Sequence, residues 1–70
     1  MADFGSNLKR IRQEKEMTQM EVAVKSGLPI GTVVRIEAGG VNPRVDTADK
    51  IATALGVSIT DLLSDRAQAG

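Results

Sequence analysis

Between Thr18 and Gly27 the chain carries both the start and the stop of one short helix, and this constrains everything around it. Thr18 stands three residues before Glu21, the capping-box spacing in which each side chain satisfies a free backbone N–H at the helix start. Gly27 takes the left-handed conformation at little steric cost, so it closes that helix and turns the chain sharply. Leu28 and Pro29 lead at once into a second short segment, "LPIGTVVRIE", whose apolar residues return at helical spacing. Two helices joined by such a tight turn meet at a steep angle and need a small residue where they cross. Ala23 stands at that place.

The remaining chain also reads as helix. Phe4, Leu8 and Ile11 recur at helical spacing with Lys9, Arg10 and Arg12 between them, which predicts an amphipathic helix over about residues 3–16, with Asp3 placed to cap it. Gly39 and Gly40 stop the third helix, predicted over about 29–38, and Pro43 disfavours helical geometry in Asn42, so "VNP" is an extended loop. Val45, Ala48, Ile51, Ala52 and Leu55 line one face of a fourth helix, with Asp46 and Asp49 near its positive end and Gly56 closing it. Ser58 with Asp61 three residues on starts a fifth, which carries Ile59, Leu62 and Leu63. The expectation is an all-α domain of five helices over residues 1–64, followed by a polar, small-residue-rich tail or start of a linker at 65–70.

Composition narrows the chemistry. With 70 residues there is room for one small domain with a marginal core. The chain has neither cysteine nor histidine, which removes disulfides, the usual zinc sites and the commonest general base. The carboxylates are scattered and no nucleophile stands with a base, so no enzyme, metal or cofactor is expected. No apolar run is long enough to span a bilayer and no basic-then-apolar leader precedes the first helix, so the expected location is cytoplasmic, away from membranes. The formal net charge is zero, but residues 1–44 hold seven basic side chains against five acidic ones. The rest of the chain reverses that excess, so one positive face can exist on a neutral molecule.

From Gln19 to Ala38 the chain resembles the helix-turn-helix of the phage-repressor (Cro/C1, XRE-type) family. The residues that carry the likeness are "TQMEVAVKSG", with Ala23 at the crossing and Gly27 in the turn, followed by Val33 and Ile36 as buried positions of the second helix. The similarity continues through "LKRIRQEKEMTQ" and "NPRVDTADKIATALGVSITDLL", about nine-tenths of the chain in all. It implies a five-helix, lambda-repressor-like DNA-binding domain with its motif at 19–38. The third helix of such a domain enters the major groove of double-stranded DNA.

Stepping about 100° per residue puts Val33 and Ile36 on the buried side of this helix, Gly31 and Arg35 opposite, and Thr32 and Val34 on the shoulders. Ile30 projects from its start. Arg35 has the donors for a guanine, whereas Ile30 and Val34 offer only apolar contact, best with a thymine methyl; Gly31 reads nothing and permits close backbone approach. The resemblance makes Gln19 a phosphate clamp beside the free N–H groups of its helix start. It also makes Arg12 and Glu37 a salt bridge joining the first helix to the third. Family members often carry serine, arginine or glutamine around positions 29–31, and a lysine or arginine where this chain has Gly40 and Val41. Phosphate anchoring there therefore falls on backbone amides, Asn42 and Arg44, with Arg10 the foremost candidate on the otherwise solvated face of Lys9, Arg10 and Lys15.

The function these residues imply is that of a sequence-specific transcriptional regulator, a repressor by family, acting as a homodimer on two half-sites. Two other readings stand beside it. The residues can be the DNA-binding part of a larger regulator or an antitoxin, with an additional domain or protein partner. Alternatively, a protein-interaction module that kept the fold and lost DNA would present Ile30, Val34 and Val41 as one apolar patch. Ile59 and Leu63 are expected to complete the core rather than to form a dimer contact.

Overall fold

A computed structural model describes residues 3–63. It contains five helices: α1 (Phe4–Glu14), α2 (Gln19–Ser26), α3 (Ile30–Glu37), α4 (Val45–Leu55) and α5 (Ile59–Leu63). No strand occurs among the described residues. The expected all-α, five-helix architecture is the observed one. Ser64 and the 65–70 segment lie outside the described residues.

The starts of α1, α2 and α5 are built as their side chains dictate. Asp3 Oδ1 accepts from Ser6 N–H at 2.8 Å at the start of α1, and this hydrogen bond holds the Asp3 carboxyl below its ordinary value. At α2, Glu21 N–H donates to Thr18 Oγ1 at 3.0 Å while Thr18 N–H donates to Glu21 Oε1 at 2.8 Å. The same reciprocal pair joins Ser58 and Asp61 before α5. Gly27 has φ 74°, and Leu28 N–H reaches back to the Ala23 carbonyl at 3.0 Å, the pattern that takes up the last carbonyls of a helix.

Helix α1 ends two residues short of the predicted limit. Glu16 adopts φ 57°, which breaks the helical repeat and swings the chain back. Met17 N–H then donates to the Arg12 carbonyl at 3.0 Å, and Arg12 Nη1 donates to the Met17 carbonyl at 2.8 Å. The turn between α1 and α2 is thus tied to an α1 side chain.

The core forms where the apolar stripes meet, with Leu8, Val22, Val33, Ile51 and Leu62 wholly enclosed. Helix α2 packs on α3 and α4, α1 packs on α3 and α5, and α4 meets α5, so α3 is held from behind by two helices. Two predicted core positions are corrected. Val45 is 78 % exposed, because it is the first residue of α4 and the buried stripe of that helix begins one turn later, at Ala48. Leu63 is 62 % exposed, since Leu62 takes the inward position and Ile59 is only half-buried beside it. Periodicity also passed over buried Asn7, whose Nδ2 donates to the Leu62 carbonyl at 2.8 Å and so ties α1 to α5.

Gly5 carries a further constraint. A β-carbon there would collide with the Ile36 carbonyl oxygen, so the start of α1 lies directly on the backbone of the last turn of α3. This contact sets how close the two helices sit.

Candidate nucleic-acid interface

Helix α3 divides its eight residues between two faces. Val33 and Ile36 point into the core, while Ile30, Gly31, Val34 and Arg35 are exposed and Thr32 is half-buried on the shoulder. The 100° step predicted this division. Arg35 does not extend straight outward: the position a Gly31 β-carbon would take lies 3.9 Å from Arg35 Nη1. The side chain therefore runs back along the helix, and its guanidinium lies over Gly31, near the end where Ile30 projects.

Behind this face, the Glu37 carboxylate is almost enclosed, with its side chain 4 % exposed. It accepts from Arg12 Nε at 2.6 Å, Arg12 Nη2 at 3.0 Å and Gln19 Nε2 at 3.2 Å. The fork-on-carboxylate pairing matches both charges, which is what permits them to be buried. It also raises the Arg12 guanidinium above its ordinary value. The predicted salt bridge between α1 and α3 is present, and with the Met17 carbonyl on Nη1 it organises three segments at once.

Gln19 is found in a role not anticipated from its sequence. Its amide is docked against Glu37, which occupies one amide hydrogen and leaves the second, together with the carbonyl oxygen, for another partner. Gln19, Val34, Ala38 and Lys9 line a shallow hollow between α1 and α3 above the salt bridge. Lys9 is exposed, as its place on a solvated face predicts, and it also borders this hollow, since it stands one turn before Arg12 on the same side of α1.

Other candidates lie apart from this cluster. Arg10 Nη1 pairs with Glu14 at 3.3 Å in an exposed i,i+4 contact. Arg44 is the exposed residue preceding α4 and makes no side-chain cap bond. Asn42 lines a different, open groove of about 370 Å³ with Phe4, Pro43, Ile59 and Leu63. Among the described residues no grouping of acidic side chains is placed to hold a metal ion, and no helix is long and apolar enough to cross a membrane.

The pairing of α2 with α3 across the Gly27 turn, and the helices around them, can be set against known proteins. The family model described as helix-turn-helix matches residues 8–62. An uncharacterised HTH-type transcriptional regulator, y4dJ, from Sinorhizobium fredii is 43% identical over 60 residues, covering 86% of this chain and 78% of that protein. The cryptic phage CTXphi transcriptional repressor RstR of Vibrio cholerae is 36% identical over 62 residues, and there this chain spans 56% of the relative and the match takes in 89% of this chain. The crystal structure of SinR, a master regulator for biofilm formation, in complex with DNA superposes with a TM-score of 0.78 at 32% identity, covering 84% of this chain and 98% of that one.

Proposed function

The chain belongs to the helix-turn-helix family, and from that premise we propose that it is a DNA-binding transcriptional regulator, a repressor, that reads the major groove with α3. The observation that carries this reading is the division of α3. Its back is fixed by the core and by the Glu37 network, while its front is left uncovered, with a guanidinium folded toward the leading end. A rigid helix with an open front is what insertion into a groove requires. Base contacts then fall to Arg35, Ile30 and Val34, with Thr32 on the shoulder and Gly31 between them. Backbone contacts fall to Gln19, supported by Lys9, and to Arg44, Asn42 and Arg10 on the flanks.

We propose a two-fold dimer. A helix of eight residues meets only a few base pairs, so useful specificity needs two copies on half-sites about one helical turn apart. The exposed Val45 and Leu63 line, with Phe4 and Ile59, a largely apolar groove that a second copy would cover. Residues 1–64 serve as the DNA-binding unit and 65–70 as a tail or linker, and duplex DNA as partner goes with a cytoplasmic site of action.

The test is selection of binding sequences from random duplex DNA at near-physiological salt. The expected result is an inverted repeat with half-site centres about 10 bp apart. Arg35→Ala then relaxes preference at one position per half-site, whereas Gln19→Ala weakens all sequences about equally. Recovery of no motif, with binding that vanishes on modest salt addition, would leave only phosphate attraction and favour a protein-interaction role for the Ile30 and Val34 face.

A further inference from the structure

We infer that α3 recognises a C5-methylated pyrimidine, thymine or 5-methylcytosine, next to a guanine, and that it reads the methyl group rather than the base pair. The inference rests on the DNA-binding reading above. Ile30 and Val34 are one turn apart on the same side of α3 and are 36% and 42% exposed. Neither side chain can donate or accept a hydrogen bond, so neither can tell one base edge from another by that means. Among the groups base pairs present in the major groove, the C5-methyl is the one that such a surface prefers, and cytosine lacks it while 5-methylcytosine carries it.

The second half of the inference comes from Arg35. Its guanidinium lies back over Gly31, within the same turn as Ile30, and its paired donors match the O6 and N7 acceptors of guanine. Gly31 has no side chain to hold the two apart. A purely apolar partner would bury that cation without a hydrogen-bond acceptor, whereas a methylated pyrimidine beside a guanine satisfies the apolar surface and the guanidinium together. Glu37, the acidic residue of α3, is engaged by Arg12 and Gln19 behind the helix, so it does not oppose the approach of phosphates from the front.

The experiment uses the duplex recovered by the random-sequence selection. At each thymine of a half-site, four versions are compared: T·A, U·A, 5-methylcytosine·G and C·G. At one position beside a guanine, T and 5-methylcytosine should bind alike, and U and C each about fourfold more weakly, the factor that follows from burying one methyl-sized group. Ile30→Ala, at an exposed site that leaves the core intact, should abolish this dependence, and Val34→Ala should reduce it. Affinities that sort by base pair, or that ignore the methyl at every thymine, overturn the inference and leave the DNA-binding reading standing. Selection that yields no motif overturns both.

Discussion

A β-carbon on Gly5 would collide with the Ile36 carbonyl oxygen, whereas one on Gly31 would meet nothing nearer than Arg35 Nη1, at 3.9 Å. Both glycines lie in helices, and both bear on α3, one from behind and one on its front. Behind α3 the fold leaves no freedom: α1 sits against its backbone, Val33 and Ile36 are enclosed, and Glu37 holds Arg12 and Gln19. On the front nothing in the fold demands the residue that is there. A β-carbon at Gly31 would be accommodated without any shift of the fold, so on the front of α3 the packing leaves the residue type open.

Substitutions can break that contrast, starting with the enclosed side. Glu37→Ala should lower stability by about 3–5 kcal/mol in a urea titration, because it strands the Arg12 charge in a largely buried place. A loss below about 1 kcal/mol would mean the pair behaves as if solvated. Gly5→Ala should come next, destabilising by about 1–3 kcal/mol as α1 and α3 are forced apart, despite the better helix propensity of alanine. Gly31→Ala should move the other way, raising stability by about 0.5–1 kcal/mol. If it destabilises instead, the front of α3 is constrained by the fold after all.

The smallest effect is expected at Asp3. Its carboxyl is lowered in the folded state by the Ser6 N–H. The stability it contributes is therefore complete above the ordinary carboxylate range and is lost as pH falls through the lowered folded value. Asp3→Asn keeps a capping acceptor but cannot titrate, so thermal melts should barely differ at neutral pH and should show a shallower acid decline in the variant. An unchanged acid decline would place its origin in other carboxylates.

Much of the fold was legible because it is written in short-range chemistry. Thr18 with Glu21, Ser58 with Asp61, and the left-handed Gly27 and Gly56 act within four or five residues, so spacing alone announces them. The inward set of α3 followed from its 100° repeat in the same way. Glu16 was missed because a left-handed glutamate has no sequence signal; the turn it makes is closed by the hydrogen bonds between Arg12 before it and Met17 after it. Val45 was misread because periodicity names a face but not the residue at which a neighbour begins to cover it.

The candidate site divides along the same line. Residue types determined that α3 can offer one guanidinium and two apolar side chains to a partner, since nothing else on that face carries a donor or acceptor beyond Thr32. Only the tertiary structure decided that Gln19 is docked on Glu37, that Lys9 lines the hollow beside it, and that Asn42 lies in another groove, whereas Arg35 folding back over Gly31 is a contact between residues four apart on one helix. Local hydrogen bonds and helical periods act over a few residues and are encoded in order along the chain. The distance between Gly5 and Ile36, or between Gln19 and Glu37, depends on how whole helices pack, and that is set by the summed fit of the core.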